Sequence, residues 1–287
     1  MIQGLIRIGI VLIILIALGT TGFFVFTKYR GQDARLRADK AFAEERWREA
    51  KMNYTWYIVR HPDELEVLPR YIESCMKLLG NRRAHIRDAG RAYLQLTLNS
   101  PDDTTQSQEL INFYREYNLW RELDYAADLL LRNNNEDSFL LYNKALAVSH
   151  LGRKSQAISI YQQMLELDEV QPEVYGNLAL LLYQQGLEEQ GWQTLEKALA
   201  EQPNNPLIRL ERARYLLATN DLARASQEID FALNSDLQSG DLFLTASKVH
   251  SAQNEWAIAL DYSEKAVREI PRSAKAHLQI VSCFMSD

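Results

Sequence analysis

The chain has 287 residues, of which 47% are apolar and 24% charged, and its formal net charge is −6. This composition is typical of a folded helical protein and excludes a disordered one. The acidic balance argues against nucleic acid as the partner, because nucleic-acid-binding proteins usually present a clustered basic face.

The first predicted element is an uncharged apolar segment of nineteen residues at 8–26, preceded by a short tail at 1–7. At about 1.5 Å per residue, a helix of this length spans the roughly 30 Å hydrocarbon core of a bilayer. The segment is longer than the apolar core of a usual signal peptide, and no small-x-small cleavage site follows it. A retained single-pass transmembrane helix is therefore favoured over a cleaved signal peptide.

Basic residues are more numerous after the apolar segment than before it. A basic juxtamembrane linker at 27–32 leads into the rest of the chain. Arg7 precedes the segment, and five basic residues follow it: Lys28, Arg30, Arg35, Arg37 and Lys40. By the positive-inside rule this asymmetry favours a cytoplasmic location for the rest of the chain. A periplasmic or exported domain is the alternative, because short-tailed single-span proteins often export their large domain.

Farther along the chain, turn-forming residues recur at a fixed step of 34: Gly152, Gly186, Asn220 and Asn254. Glycine and asparagine tolerate the left-handed backbone that ends a helix. Small residues recur seven positions before and five positions after each of them, which allows two helices to cross closely. These are Ala145, Ala179, Ala213 and Ser247, then Ala157, Gly191, Ala225 and Ala259. Each unit is therefore predicted to be a helix, a tight turn and a second helix.

The same unit extends toward the amino terminus. Asn118 lies one step before Gly152, and a turn at Gly80 and Asn81 comes 38 rather than 34 residues before Asn118. We expect the four extra residues in the loop at 99–103. The earliest unit is marked by Ala41, Trp47, Ala50 and Tyr54, with Pro62 after its second helix. About seven units are predicted from Asp33 to Ser273.

An eighth first helix begins after the seventh unit. Its apolar residues are Ile280, Val281, Phe284 and Met285. The last helix of a solenoid usually has a polar outer face, because no further repeat covers it. Either this helix caps the array, or the chain belongs to a longer array with an incomplete last repeat; the apolar residues favour the second interpretation.

The pattern resembles the tetratricopeptide repeat family, whose 34-residue unit has small residues at these positions and a proline near its end, as at Pro203 and Pro271. The aromatic residues of the family are partly present, at Tyr142, Tyr161, Tyr175 and Tyr183. The resemblance implies an all-α fold: a right-handed solenoid of about seven repeats at 33–287, preceded by one transmembrane helix.

In this family the first helices of successive repeats line a concave groove that contacts a peptide or a partner helix. Matching columns identify the main groove candidates: Tyr142, Asn143, Leu146, His150, Glu173, Asn177, Leu180, Tyr183, Gln184, Leu210, Glu211, Arg214 and Leu217. Further candidates are Thr105, Gln108, Glu109, Asn112, Arg115, Phe139, Leu207, Asp241, Leu244, Thr245 and Lys248.

Two asparagines of this groove, Asn143 and Asn177, occupy one column, where the family often uses an amide to bind the extended backbone of a ligand. Alternatively, they solvate the groove or bond a neighbouring helix. The apolar and aromatic groove candidates are more often inter-repeat core than ligand surface. The lysine and asparagine clamp with which chaperone-binding members grip a terminal carboxylate is not expected, because only Asn177 matches it and Glu211 would repel a carboxylate.

No catalytic motif is recognisable: the sequence has no Gly-rich phosphate loop, no G-x-S-x-G and no paired-cysteine zinc motif. His85 and Asp88 could share a helix face, and we interpret them as a surface or inter-repeat contact because no nucleophile is near in sequence. Cys75 and Cys283 are expected to be separate buried thiols. No catalytic activity, cofactor, metal or small-molecule substrate is expected within this chain.

These features predict a membrane-anchored scaffold or adaptor that binds partner proteins and organises a membrane-associated complex. One alternative is a constitutive subunit of a large membrane, secretion or envelope-assembly complex. Another is the targeting region of a longer enzyme or regulator whose active domain lies after Asp287.

Overall fold

The computed structural model describes residues 33–78, 83–100, 103–167 and 170–286. Within these ranges the backbone forms α-helices and one 3-10 helix, and no strand. The predicted tail, transmembrane segment and linker at 1–32 lie outside the described residues, as do Gly80 and Asn81. None of the described helices combines the length and the apolar character needed to cross a bilayer. The chain divides into two compact units, Met1–Asn133 and Asn134–Asp287.

The helices of each unit follow one another in pairs. In the first unit they are α1 (33–43), α2 (Trp47–Arg60), a 3-10 helix (Leu65–Val67), α3 (Leu68–Lys77), α4 (Arg83–Asn99), α5 (Thr104–Glu116) and α6 (Trp120–Leu130). In the second unit they are α7 (Ser138–His150), α8 (Lys154–Met164), α9 (Pro172–Gln184), α10 (Glu188–Glu201), α11 (Pro206–Ala218), α12 (Leu222–Leu233), α13 (Gly240–Ala252), α14 (Trp256–Glu269) and α15 (Ala274–Ser286).

Every described turn inside a helix pair contains one residue with a left-handed backbone. The φ angle is 80° at Gly152, 77° at Gly186 and 63° at both Asn220 and Asn254, which confirms the predicted markers. Asn118, with φ of 54°, confirms the upstream extension of the repeat. Glu45 occupies the equivalent place between α1 and α2 with φ of 54°, although residue type alone does not mark it as a turn.

The small-residue columns lie at the helix crossings, as predicted. All eight positions are buried, and the last crossing is polar: Ser247 Oγ donates a hydrogen bond to Ala259 O at 2.7 Å. At Gly191 a Cβ atom would lie 2.7 Å from the carbonyl oxygen of Ala179. The backbones of α9 and α10 therefore approach so closely that only glycine fits there.

We expected the extra residues of the second repeat in the loop at 99–103. They extend α4 instead. This helix has 17 residues, whereas the other second helices have 11 to 14. Four residues separate the end of α4 from the start of α5, as many as separate α10 from α11. The run after Tyr93 contains no helix breaker before Pro101, which disfavours helical backbone at the residue before it, so the helix continues to Asn99.

The last helix, α15, packs against α13 and α14 through one face only. Ala276 and Cys283 are buried there, and Gln279 Nε2 donates to Ser251 Oγ at 2.9 Å. The opposite face of α15 remains apolar and exposed: Leu278, Val281, Phe284 and Met285. Cys75, in α3, is also buried, and both thiols are free, as predicted.

Candidate partner-binding face

The main groove candidates lie on α7, α9 and α11, and α13 carries further candidates; these are the first helices of four successive pairs in the second unit. Their starts are set by local sequence. Asp137, Asn205 and Ser239 accept hydrogen bonds from backbone amides in the first turns of α7, α11 and α13, and Pro172 begins α9. The helices α9, α11 and α13 pack side by side, so their matching columns form rows across a common surface. We call this surface the first-helix face.

The central row of this face is polar but largely inaccessible. It consists of Asn143, Asn177, Glu211 and Thr245, and all except Asn177 are buried. Asn143 is fully buried, and its amide donates to Phe139 O at 2.8 Å within the same helix. Binding of a ligand backbone by Asn143 stays a prediction, and it requires the side chain to become accessible, because Asn143 is buried in this conformation.

Asn177 is half-buried and bonds the neighbouring repeat. Its Nδ2 atom donates to Tyr142 Oη at 3.2 Å. The Tyr142 ring packs in turn against the ring of buried Tyr161, with the ring centroids 6.2 Å apart. This contact agrees with the alternative in which the asparagine bonds a neighbouring helix.

Glu211 is buried because its neighbour in the preceding repeat is a glycine. A Cβ atom at Gly176 would overlap the Glu211 carboxylate, so the side chain fits only because position 176 has none. Oε1 of Glu211 accepts a hydrogen bond from Arg214 Nη1 at 2.6 Å. Burial raises the pKa of the Glu211 carboxyl to about 7, although Arg214 acts against the shift. A mid-helix glycine, where the other three first helices of the second unit have tyrosine or leucine, is the sequence signal for this arrangement.

Arg214 connects the central row to α13. Its Nη2 atom lies 3.7 Å from Asp241 Oδ2, and its Nε donates to Thr245 Oγ1 at 3.4 Å. Lys248 is one turn farther along α13 and is half-buried. Burial lowers the pKa of Lys248, and the positive charges of Lys275 and Arg214 add to the shift while Asp241 opposes it. The α13 end of the face is therefore densely charged.

Side chains that a partner could reach lie in the rows on either side of the central one. One row is Phe139, Glu173, Leu207 and Asp241; the other is Leu146, Leu180, Arg214 and Lys248, and all eight are half-buried or exposed. His150 and Gln184 are exposed at the ends of α7 and α9.

The remaining apolar candidates belong to the inter-repeat core, as expected for most of them. Leu210 and Leu244 are buried in it. Tyr183 and Leu217 are half-buried against it, and the Tyr183 ring meets the Tyr215 ring edge-on with the centroids 6.0 Å apart.

In the first unit, the candidates all lie on α5 and are exposed: Thr105, Gln108, Glu109, Asn112 and Arg115.

His85 and Asp88 form an inter-repeat contact, as predicted, through Lys51 of α2. Lys51 Nζ donates to Asp88 Oδ2 at 2.7 Å and lies 2.7 Å from His85 Nδ1. Among the described residues, no group of three or more His, Cys, Asp or Glu side chains is placed to hold a metal ion.

No protein-family model matches the chain. Over 77 residues the chain is 31% identical to the Photosystem I assembly protein Ycf3 of Prochlorococcus marinus (strain NATL1A). That match covers 26% of the chain and 44% of the relative, so the chain spans less than half the length of this curated protein.

Solved structures resemble the chain over a much larger part of its length. A tetratricopeptide repeat protein from Parabacteroides merdae ATCC 43184 superposes with a TM-score of 0.60 at 15% identity, covering 88% of this chain and 98% of that one. A thermophilic tetratricopeptide repeat protein of Thermus thermophilus gives 0.54 at 17% identity, covering 62% and 96%. Together with the left-handed turns and the small-residue crossings at their predicted places, these similarities show that the chain has the tetratricopeptide repeat fold.

Proposed function

We propose that the protein is a membrane-anchored scaffold that binds a segment of a partner protein on the first-helix face of the second unit. The observation that carries this proposal is the pair of accessible rows on α7, α9, α11 and α13, which flank a central row whose polar groups are already bonded within the protein. The described residues then act by binding rather than by catalysis. The partial similarity to a Photosystem I assembly protein supports a role in assembling a complex.

The composition of the accessible rows indicates the kind of segment that would fit. The α7 and α9 end offers half-buried Leu146 and Leu180, whereas the α13 end offers Lys248 close to the charges of Lys275 and Arg214. An amphipathic segment could place an apolar side chain on the leucines and a carboxylate near Lys248. The carboxylate would relieve the repulsion between the positive charges, which adds to the lowering of the Lys248 pKa by burial.

Photo-crosslinking from single positions tests this assignment. A photoreactive residue is introduced at Leu180 or Lys248 in the full chain, and the crosslinked species are identified by mass. A matched control carries the same group at Thr194 or Gln227, on the second helices α10 and α12. We expect one partner from Leu180 and Lys248 and none from the control positions. The same partner recovered equally from all four positions would contradict binding on the first-helix face.

Charge reversal then tests the chemistry of the partner. Lys248→Glu should weaken recovery of the partner about tenfold or more, because a favourable contact becomes repulsive. Lys197→Glu on α10, where the side chain is 65% exposed, makes the same change of charge away from the face. Equal recovery with the two variants would sink the proposed acidic partner.

We also propose that the segment at 8–26 is a transmembrane helix that anchors the protein, with the repeats in the cytoplasm. An anchor confines the binding face to the membrane surface, which raises its effective concentration toward partners there. Protease added outside sealed cells should spare the repeats, whereas cleavage without lysis would place them outside. Extraction by alkaline carbonate instead of detergent would argue against a retained anchor.

A further inference from the structure

The second helices of the first two pairs expose an unusual surface. Met52 and Val59 on α2 are 65% and 73% exposed, which is high for apolar side chains. Arg48 lies beside them on α2. Arg91 on α4 borders the same surface, because Thr55 and Val59 line one depression together with Arg48 and an adjacent one together with Arg91. Arg87 lies one helical turn before Arg91 and is also exposed. We call this surface the basic-apolar face.

Positive charge on this face is not neutralised by the residues that the structure describes. Neither Arg48 nor Arg87 forms an ion pair with a described residue, and Arg91 Nη1 is 4.0 Å from Asp88 Oδ1 with its side chain 80% exposed. Asp88, a carboxylate that borders the face, is already paired with Lys51 at 2.7 Å. The face is thus strongly basic in a chain whose formal charge is −6.

An aromatic residue completes the face. Trp56 is half-buried on α2, and the Arg60 guanidinium carbon lies 3.3 Å from the centroid of its ring. Tryptophan is favoured at membrane interfaces, where one side of the ring meets apolar surroundings and the other meets polar ones. Exposed aliphatic side chains between arginines are the pattern of helices that lie in the plane of a lipid surface.

We propose that the basic-apolar face rests on an anionic lipid surface, with Met52 and Val59 at the level of the headgroups and Arg48, Arg87 and Arg91 on lipid phosphates. Charge complementarity supports this occupant, and the uncharged segment at 8–26 ends only 21 residues before Trp47. The lipid surface does not use the first-helix face, so this proposal stands independently of the partner proposed above.

An environment-sensitive fluorophore provides the test. It is attached to a cysteine introduced by Met52→Cys in the full chain. The parent chain is treated with the same fluorophore, so that any labelling of buried Cys75 and Cys283 can be measured and subtracted. Vesicles contain either neutral phosphatidylcholine alone or added phosphatidylglycerol. We expect a blue shift and quenching by brominated lipid with the anionic vesicles at about 0.1 M salt, both fading at about 1 M salt. A fluorophore at Ile258→Cys, 46% exposed on α14, should show neither change.

Charge reversal separates lipid phosphate contact from simple anchoring. Each basic residue near an anionic surface contributes about fivefold to partitioning, so Arg48→Glu, Arg87→Glu and Arg91→Glu together should weaken the contact at least about a hundredfold. Arg121→Glu, Arg132→Glu and Arg272→Glu make the same change of net charge at other exposed sites. This control should keep the signal at position 52.

Three results would overturn the proposal: no signal at position 52 with anionic vesicles, an equal signal with neutral ones, or a response to single-stranded RNA in place of vesicles. The readout does not depend on the anchor. If the segment at 8–26 does not insert, the fluorophore still reports contact with added vesicles. If it does insert, the charge-reversed variant stays attached and loses only the signal at position 52.

Discussion

The second helices α2 and α4 of the first unit have the opposite charge to the second helices α10 and α12 of the second unit. Among the residues of α2 and α4, six are basic and two acidic; among those of α10 and α12, two are basic and six acidic. In the second unit Glu196 and Glu228 have internal partners, because Arg209 and Arg212 of α11 pair with them. In the first unit most of the arginines remain exposed. Charged residues of the second helices therefore form ion pairs within the protein in the second unit, and most of them remain exposed to solvent in the first unit.

On the acidic helices α10 and α12, Glu196 and Glu228 belong to one buried network of ion pairs with α11. Arg212 Nε donates to Glu228 Oε1 at 2.9 Å, and Nη1 donates to Glu196 Oε1 at 2.7 Å. The guanidinium carbon lies 4.6 Å from the centroid of the Trp192 ring. Arg209 Nη1 also donates to Glu228, at 3.0 Å. Both Arg212 and Glu228 have side chains only 9% exposed, so each charge depends on the other for compensation.

Breaking this network should have the largest effect. Arg212→Ala leaves Glu228 buried with one partner, and we expect a loss of about 3–5 kcal/mol in the free energy of unfolding. Urea unfolding combined with hydrogen exchange of α10 to α12 measures it, because repeat proteins can open locally. Arg224→Ala, at an exposed arginine that pairs with Asp221, should cost less than about 1 kcal/mol. Similar losses in the two variants would contradict a special role for burial.

The second effect is a pH dependence carried by Glu211. Its pKa of about 7 in the folded protein exceeds the ordinary value of 4.5, so the folded state holds an extra proton between these values. Protonated Glu211 therefore contributes its full stability to the folded state below pH 4.5, and this contribution is lost as the pH rises through about 7. Glu211→Gln should therefore gain stability relative to the parent chain between pH 5 and pH 8, by up to about 3 kcal/mol.

Unfolding curves at several pH values measure this gain. Glu109→Gln, at an exposed position on α5, is the control and should follow the parent chain at every pH. Parallel curves for Glu211→Gln and the parent chain would refute the proton uptake by Glu211.

Third, Gly176→Ala should destabilise the protein by about 1–3 kcal/mol, because the new methyl group overlaps the Glu211 side chain. In a Glu211→Ala background the same change should stabilise by up to about 1 kcal/mol, since alanine is the better helix former. Thermal unfolding of the four chains in this cycle gives the interaction energy. The same sign in both backgrounds would rule out the overlap as the cause.

The smallest effect is expected on the basic side of the comparison. Arg48→Ala and Arg87→Ala should each change the free energy of unfolding by no more than about 0.5 kcal/mol, because these exposed side chains have no ion-pair partner among the described residues. Lys51→Ala should cost more, since Lys51 joins α2 to Asp88 of α4 with only 14% of its side chain exposed. Denaturant unfolding compares the three; a large loss for Arg48→Ala would reveal an internal role for that arginine.

The repeat architecture could be predicted from the sequence because one residue in each turn and two small residues at each crossing repeat in register. Each of these positions answers a local requirement: a positive φ angle, or a close approach of two helices. The length of α4 could not be read from the same columns. It depends on where the first helix breaker follows the turn, and that residue lies outside the repeating pattern.

The accessible side of the groove was harder to predict, because a column gives the direction of a side chain but not its neighbours. Asn143 and Asn177 share a column, yet one bonds its own helix and the other reaches Tyr142. Glu211, in the same column, is buried because Gly176 of the preceding repeat leaves space. These differences arise between repeats, so they follow from pairs of residues about 35 positions apart and not from any single residue.

The left-handed turns make the size of the binding surface adjustable in whole steps. Every described turn inside a helix pair has its own residue with a positive φ angle. Removing one block of about thirty-four residues, or duplicating it, would join a repeat to a neighbour of matching shape. The surface could then be shortened or lengthened by one first helix at a time without redesign of a central core, a freedom that a globular domain of this size does not have.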